Sequence, residues 1–437
     1  MLYSEYLKSK RPYQEFGHLF LLEQKHACLF YKPGKGKTYP TIDAIRDIDS
    51  NMGGKARVLI LSTADAIKNM WNAEIVPQNI LPKNTVLMTF NSAIIDKTKA
   101  DLVKVKWDVI VVDECHKIKS HNSKTSKLVY QLSKKAEYTF GLSGTPRGNN
   151  DIDIYCQFHN MNISDWGSIS YTQFVDLCCD VEPQFFRGNA IKVPIGINRK
   201  YKAGWEHNIA QYSQRVDYTE DDDMPELKVN VVKFHYDETK EYRDAMDGVI
   251  QLSNYETTMT KMVAIMKAHQ IVNGFLYYDD EDTGKRRVHN INHNIKLDWL
   301  VENIKREPTL IVYRYEVDKE NIMNALAEHG YSGTESVDEF KEYATKPFLE
   351  RKFDYLILQC SRCESFNLQM CKRIIFYTLD YSYIKYNQML HRIWRMGQKE
   401  QCEIVILTFE KTVDEDIWLT VKNKEVLADL FMRIKGV

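Results

Sequence analysis

No stretch of the chain is apolar for the roughly 18 residues that a membrane-spanning helix needs. The opening MLYSEYLKSKRPYQEF is also too polar for a secretory leader. The expectation is a cytoplasmic protein, neither exported nor membrane-spanning. An excess of charge of one sign is missing too: 59 lysines and arginines face 60 aspartates and glutamates, a formal net charge of −1. That removes any bulk attraction to polyanions, so a nucleic acid would have to be met by local basic patches. Cysteine is irregular, nine residues mostly inside apolar stretches, which reads as buried thiols in a reducing compartment. The C-x-x-C at Cys360 and Cys363 has no second pair at zinc-site spacing. Repeats with a period of about 20–50 residues and low-complexity tracts are absent.

What is present is an ordinary globular composition, 44% hydrophobic and 27% charged over 437 residues, enough for about two to three domains. Short apolar runs recur in the first part: ACLFY (27–31), RVLILS (57–62), TVLMTF (85–90), WDVIVVD (107–113) and YTFGLS (138–143). The segments between them carry apolar residues at helical spacing. This alternation, with nearly continuous apolar strands, predicts a parallel sheet covered on both faces. From 150 to 216 the pattern turns irregular and aromatic-rich, and DYTEDDDMPELK (217–228) reads as a solvated linker. Helices are expected at 238–252 and 256–270. A second series then runs through a helix at 296–306, TLIVY (309–313), a helix at 316–328, FDYLILQ (353–359) and RIIFYT (373–378). It continues with a helix at 383–395, CEIVILT (402–408) and a closing helix from Val413. The expected fold class is α/β, with lobes at 1–228 and 229–437, each a parallel sheet flanked by helices.

Several strings carry chemistry. In YKPGKGKT (31–38), Gly34 and Gly36 would let backbone N–H groups curl around phosphate oxygens. Lys37 would reach the β- and γ-phosphates, and the Thr38 hydroxyl would ligate Mg²⁺. Tyr31 stands where the long form of this motif has its first glycine, and alone the string is equally compatible with a basic turn. VIVVDECHKI places Asp113 and Glu114 at the C-terminal end of a buried strand, where open parallel sheets bind ligands. Nucleotide hydrolysis needs a metal-holding carboxylate and a group that orients water. GLSGTP sets Ser143 and Thr145 around Gly144 after the next strand. QMLHRIWRMGQ spaces Gln388, Arg392 and Arg395 so that one helical face would hold all three. A guanidinium fork suits developing phosphoryl charge, although two arginines on a solvated helix face are equally ordinary. In RPYQ (11–14), the Gln14 amide could donate to and accept from an adenine edge.

In that order, Gln14, GKGKT, DECH, SGTP and Q-x-x-x-R-x-x-R-x-G-Q resemble the motif set of helicase superfamily two. More narrowly they resemble the Swi/Snf-type DNA-translocase group. DAIKNMWNAEI (65–75), RMGQ and Lys296-Leu297-Asp298-Trp299-Leu300 carry the narrower likeness, and the compact size resembles small bacteriophage-encoded versions. The resemblance implies two RecA-like lobes with an ATP cleft between them, ATP and Mg²⁺ as cofactors, and DNA lying across both lobes. It implies an ATP-dependent DNA helicase or translocase, acting as a monomer, with replication or recombination proteins as candidate partners. Around the nucleotide it places Gln14, Pro33, Gly34, Lys35, Gly36, Lys37, Thr38 and Gln388, with Thr38 and Asp113 on the metal. Glu114 would activate water, Ser143 and Thr145 would couple ATP state to nucleic acid, and Arg392 and Arg395 would be arginine fingers. Ser62, Thr63, Thr89, Arg362 and Asn367 would lie toward the nucleic-acid backbone.

The chain also departs from that group. DEMGLGKT becomes YKPGKGKT, so Pro33 stiffens the start of the loop and Lys35 adds a charge. The glycines usual before Asn367-Leu368 are absent from SRCESFNL (361–368), and YSYIKYNQ (381–388) replaces the usual Trp-Asn-Pro. RGNAIKVPIGINRKYK (187–202) and GKRRVH (284–289) are candidate backbone-binding segments, and phosphate contact alone predicts weak sequence preference. No stretch stands out as a strand-splitting hairpin. Two other functions stay open: a nucleotide-gated DNA-binding or scaffold protein with weak turnover, and an RNA-dependent ATPase.

Overall fold

A computed structural model describes residues 2–147, 152–186, 189–219, 222, 224–252, 255–258, 261–280, 285–291, 295–362 and 367–423. The chain divides into two compact units, Met1–Asp222 and Asp223–Val437. In the first, β1 (His26–Tyr31), β2 (Arg57–Ser62), β3 (Asn84–Thr89), β4 (Val109–Asp113) and β5 (Tyr138–Leu142) coincide with the five apolar runs. Two further strands, β6 (Cys179–Phe186) and β7 (Asn189–Ile197), form an antiparallel hairpin, and β8 (Ser213–Val216) follows. The central sheet has the order β3-β2-β4-β5-β1-β8, and every pairing in it is parallel.

Continuous apolar strands are explained by two cores. Leu59, Leu61, Ile110 and Val112 point into one cluster, whereas Val58, Ile60, Val109 and Val111 point into another on the opposite face. A strand alternates its side chains, so a sheet covered twice needs apolar residues at both parities. Helix Thr38–Asn51 contributes Ile42, Ile45 and Ile48 to the second cluster. After β2 the chain forms a short α-turn, Ala64–Ala66, and then a π-helix, Ile67–Ile75, which buries Ile67, Trp71 and Ile75. Such wide coils are rare in proteins.

The region expected to be irregular from 150 to 216 is instead built of helices Ile152–Asn160, Ser164–Ser168, Tyr171–Cys178 and Arg199–Tyr212 around the hairpin. The first three have nine, five and eight residues, too few turns for a periodicity to emerge. Their aromatic content is the packing itself. Tyr155 stacks on Phe174 at 3.7 Å between centroids, and Phe158 and Phe174 meet Trp205 edge-on.

The second unit opens with β9 (Leu227–Phe234), which corrects the expected linker and the expected boundary after 228, because this strand belongs to the second sheet. Then come β10 (Val249–Leu252), β11 (Tyr255–Thr258), β12 (Phe275–Asp279), β13 (Arg286–Asn290), β14 (Thr309–Tyr313), β15 (Gly333–Thr334), β16 (Tyr355–Gln359), β17 (Arg373–Phe376) and β18 (Cys402–Phe409). The order β15-β16-β14-β17-β18-β9 is again wholly parallel. The helices expected at 238–252 and 256–270 are shorter, Lys240–Met246 and Lys261–Val272, with the β10–β11 hairpin between them. The helix expected at 383–395 ends at Ile393. Among the described residues, no helix is long and apolar enough to cross a membrane.

Charge lies inside this unit. Lys296 Nζ donates to Asp414 Oδ2 (2.7 Å), Asn273 Oδ1 (2.9 Å) and the Tyr377 carbonyl (3.2 Å). His269 Nε2 lies 3.2 Å from Asp414 Oδ1. The cluster joins helices Ile295–Asn303, Lys261–Val272 and Val413–Lys422. Burial works against the Asp414 charge, yet Lys296 and His269 hold its carboxyl well below the usual range. Asp318 has only the Thr378 hydroxyl (2.6 Å) and the Tyr315 N–H (3.3 Å), and burial pushes it up to about 7.

A carboxyl raised on folding takes up a proton between its unfolded value of about 4 and its folded value, so its contribution to stability falls as pH rises through that window. Wild type should therefore lose on the order of 3 kcal/mol more stability than Asp318→Asn between about pH 4 and about pH 8. Urea unfolding of both proteins across that range checks it, and parallel pH profiles would show that Asp318 ionises without penalty.

Candidate active site

All strands of the first sheet run the same way, so β1, β2, β4 and β5 deliver their C-terminal ends to one edge. Leu29 of β1 and Asp113 of β4 both register with Leu142 of β5. The loop after β1, Asp113 and Ser143 therefore lie side by side.

In the loop, Gly34 and Gly36 take φ of +87° and +71°, the left-handed region where glycine costs least. A Cβ on Gly36 would come within 2.7 Å of Gln14 Nε2. Lys37, half-buried, is the N-cap residue of helix Thr38–Asn51, so the loop runs straight into a helix N-terminus. Among the described residues, the Thr38 hydroxyl donates to the Met70 thioether at 3.7 Å, a weak partner easily exchanged.

Three expected nucleotide contacts turn out to hold the loop. Gln14 is buried, its Nε2 donating to the carbonyls of Lys35 and Gly36 (both 3.3 Å) while its Oε1 accepts the Arg11 N–H (3.0 Å). Donor and acceptor are both engaged by protein, so Gln14 braces the loop. Lys35 is buried and ion-paired with buried Asp222, over the rings of Tyr13 (5.4 Å) and Tyr218 (5.9 Å). Its charge faces the protein. Pro33 accepts the Tyr218 hydroxyl on its carbonyl (2.7 Å), and its ring lies so close to Gly144 that a Cβ there would sit 3.0 Å from Pro33 Cδ.

Asp113 is the most constrained group. Its Oδ2 accepts from Ser62 Oγ (2.9 Å) and from Trp71 Nε1 (3.1 Å). Burial raises its carboxyl above the ordinary value and Glu114 pushes the same way, against Lys37, Trp71 and Ser62. Ser62 is thus buried with its hydroxyl on the Asp113 carboxylate. Thr63, also buried, accepts the Ala66 N–H (3.3 Å), and Thr89 accepts the Ser92 N–H (3.0 Å). Both act as helix caps.

Glu114 has left-handed backbone, φ +58° and ψ +51°, a conformation that costs a non-glycine residue about 1–2 kcal/mol. Its Oε2 lies 3.2 Å from His116 Nδ1, which lies 3.3 Å from Ser143 Oγ, and Ser143 Oγ accepts the Thr145 N–H at 3.1 Å. A continuous side-chain path therefore joins Glu114 to Ser143 and Thr145. His116 was not assigned a role from sequence, although it is the last letter of DECH. Trp71 was read only as part of a family segment, and its reach to Asp113 depends on the π-helix.

In the second unit Gln388 is buried and Arg392 Nε donates to its carbonyl at 3.0 Å. Arg395 lies beyond the helix end, so the expectation of one shared helical face is corrected. The arginine segment is stitched to 367–371: Leu368 N–H to Arg392 carbonyl (3.0 Å), Gln369 Nε2 to Met396 carbonyl (2.9 Å), and Gln398 Nε2 to Gln369 carbonyl (2.9 Å). Asn367 and Arg362 are exposed. Residues 363–366, including Cys363, lie outside the described residues, as do 187–188 and 284 of the two basic segments.

Among the described residues, no group of three or more His, Cys, Asp or Glu could hold a metal by itself. Both recorded donors to the Asp113 side chain go to Oδ2, and Thr38 has only a weak partner, so these two residues fit Mg²⁺.

Residues 76–178 match the family described as SNF2-related domain. The matched stretch contains Asp113, Glu114, His116, Ser143 and Thr145. Similar proteins include the "Uncharacterized ATP-dependent helicase YqhH" of Bacillus subtilis (strain 168), 21% identical over 413 residues, 88% of this chain and 72% of that protein. The "ISWI chromatin-remodeling complex ATPase ISW1" of Saccharomyces cerevisiae is 19% identical over 382 residues, 79% of this chain and 31% of that protein. The Drosophila melanogaster "SWI/SNF-related matrix-associated actin-dependent regulator of chromatin subfamily A-like protein 1" is 21% identical over 447 residues, 95% of this chain and 55% of that protein. The chain therefore spans less than two thirds of these two eukaryotic relatives. A solved structure, "Sulfolobus solfataricus SWI2/SNF2 ATPase core in complex with dsDNA", aligns over 98% of this chain and 92% of that chain, at 19% identity and a TM-score of 0.42. These relatives are cellular, and none supports a specifically bacteriophage-like assignment.

Trp71→Phe keeps most of the ring's packing but removes a donor to a buried carboxylate, a bond worth about 1.5–3 kcal/mol. Asp113 must be charged to meet Mg²⁺, so ATPase activity should fall as pH drops through its raised folded pKa. In Trp71→Phe that fall should move to higher pH, and the Mg²⁺ needed for half-maximal rate should rise about tenfold. An unchanged acid limb and unchanged Mg²⁺ dependence would show that the indole bond has no part in the site.

Proposed function

We propose that this chain is an ATP-dependent DNA motor, a translocase or helicase coupling ATP hydrolysis to movement along DNA, working as a monomer in the cytoplasm. The observation that carries the reading is Asp113, buried and held by two donors, at the strand edge where the two-glycine loop follows β1 and beside the Glu114–His116–Ser143 path. ATP with Mg²⁺ fits this edge: loop N–H groups and Lys37 neutralise phosphate, Thr38 and Asp113 meet the ion, and Glu114 orients water and accepts its proton. Its carboxylate shares His116 with Ser143, so a change at the γ-phosphate reaches the Ser143–Thr145 loop through two hydrogen-bonded steps. Arg392 and Arg395 supply positive charge for the phosphoryl transition state, as arginine fingers do. DNA as the track is supported by the names of the relatives, a helicase and a chromatin-remodelling ATPase.

A binding protein with weak turnover is favoured by one feature, the glycine-poor SRCESFNL segment. Purified protein should show ATPase activity that rises several-fold with duplex DNA and less with single-stranded DNA or RNA. A rate indifferent to all three would favour the binding protein, and stimulation by RNA alone would reassign the track.

Two substitutions test the roles. Glu114→Gln should keep ATP binding and nearly abolish turnover, since an amide cannot accept the water's proton. Arg395→Ala should lower DNA-stimulated kcat at least about a hundredfold, the low side of the 10³–10⁵ range for arginine fingers because Arg392 gives partial cover. Arg395→Lys should rescue poorly, because an ammonium lacks the planar fork. Thermal unfolding should be little changed. Normal turnover in either Glu114→Gln or Arg395→Ala would remove that residue from the mechanism.

A further inference from the structure

The segment that closes the first unit does no chemistry in the site above, yet it lies along one side of the glycine loop. Strand β8 is at the edge of its sheet and pairs there with β1 alone, ending at the Tyr31–Val216 register. Past that register the two chains leave the sheet and stay together. The Val216 carbonyl accepts the Lys32 N–H (2.9 Å), and Asp217 Oδ1 lies 3.9 Å from Lys32 Nζ. The Tyr218 hydroxyl donates to the Pro33 carbonyl (2.7 Å). Asp222 then pairs with Lys35, both side chains being only 2% exposed. Lys32, Pro33 and Lys35 of the loop are thus each held by a residue of 216–222. The chain enters the second unit at the next residue, Asp223.

The ties meet at Asp222. Its Oδ2 accepts from the Lys35 ammonium and from the Thr219 N–H (2.7 Å), which closes the turn from 219 to 222. Its Oδ1 accepts from Arg11 Nη1 at 3.2 Å. Arg11 is the N-cap residue of helix Pro12–Gln24, and that helix holds the loop from the other side. There the Tyr13 hydroxyl donates to the Lys35 carbonyl (3.2 Å), beside the Gln14 bonds. The loop is clamped between a helix and a terminal segment, and the two are not equally fixed. The helix is packed into the core through Leu21. The segment follows an edge strand with one sheet neighbour, so it can move without breaking a second strand pair. A buried ion pair offsets its desolvation only while both partners stay in place, so this tie is made or lost as a unit.

We infer that Val216–Asp222 is a latch on nucleotide release: docked, it holds the loop around the polyphosphate, and displaced, it lets the loop relax and the nucleotide leave. Asp222 and Tyr218 are positioning residues in this latch, acting through Lys35 and Pro33. Because the segment runs on into the second unit, a displacement of the chain there is felt as weaker nucleotide binding. By linkage, a bound nucleotide favours the docked segment by the same factor. The inference rests on the reading of the loop as a nucleotide-phosphate site, and not on DNA as the track.

The test follows release of a fluorescent ADP analogue from the full-length protein by stopped flow, with no nucleic acid present. Removing Asp222 alone would leave Lys35 buried and unpaired, so the pair is replaced together, as Lys35→Met with Asp222→Asn. That protein and Tyr218→Phe should each release ADP roughly tenfold faster, the loss of about one hydrogen bond. Association rate and thermal unfolding should stay as in wild type, since related complexes differ mostly in dissociation. In Tyr218→Phe the KM for ATP should rise while kcat does not fall. Saturating ADP should slow cleavage within 217–228 of wild type by a glutamate-specific protease, and the paired substitution should abolish that protection. Unchanged ADP release in both variants overturns the inference, as does wild-type cleavage indifferent to ADP. Slower association or a parallel loss of thermal stability also overturns it, because the segment is then a general support of the fold. Wild type that retains ADP through this latch but shows no DNA-stimulated ATPase removes the motor reading and leaves the latch standing. Failure to bind any nucleotide removes both.

Discussion

A carboxylate that must stay charged while buried sets the terms for the first unit. Removing an ion from water costs several kcal/mol even after relaxation, and each hydrogen bond to a charged group returns about 1.5–3 kcal/mol. Asp113 has two such bonds and the charge of Lys37, which oppose the effect of burial and of Glu114, and its carboxyl is raised above its ordinary value. The two donors come from different places. Ser62 is at the end of the neighbouring strand β2, and Trp71 is on the π-helix that follows it. The strand register and the widened helix are therefore both needed to keep one oxygen of Asp113 satisfied and the other open to an ion.

The glycine loop shows the same division between what reacts and what holds. Positive φ at Gly34 and Gly36 gives a tight path that has little rigidity of its own. Rigidity comes from residues far away in sequence: Gln14 below the loop, Tyr218 on the Pro33 carbonyl, Asp222 on Lys35, and the Val216 carbonyl on the Lys32 N–H at 2.9 Å. A buried ion pair such as Lys35–Asp222 adds little net stability, because desolvation offsets attraction. Its effect is positional. The last residues of the first unit are tied to its phosphate loop, so the loop conformation and the segment leading to the second unit are set together.

In the second unit, hydrogen bonds hold the segment that follows the glycine-poor SRCESFNL stretch. The segment around Asn367 is bound to the arginine segment through Leu368, Gln369 and Gln398. Two stretches that carry separate expected contacts thus form one folded piece, tied to the chain just ahead of β9 by the Trp394 indole on the Pro225 carbonyl at 2.8 Å. The buried Lys296–Asp414–His269 cluster locks three helices of the same unit. Charge in this protein is used repeatedly to fix position inside cores.

The nine apolar runs that became central strands, and the spaced segments that became their flanking helices, were legible because burial on both faces writes a local, continuous pattern. The order of Gly34, Gly36, Asp113 and Ser143 was legible because parallel strands all end at one edge. Short helices between 152 and 178, the hairpins, β8 of the first sheet and β9 and β15 of the second were not, since the helices have too few turns to show a period and the strands are stabilised by partners distant in sequence. Gln14, Lys35 and Ser62 have the residue types that bind nucleotides or backbones, and composition cannot tell a side chain facing a ligand from one facing its own chain. Sequence by itself determined two α/β units and which residues can perform phosphate chemistry. Only the tertiary structure decided which of those polar groups face inward, because the choice depends on which donors and acceptors folding brings within about 3 Å.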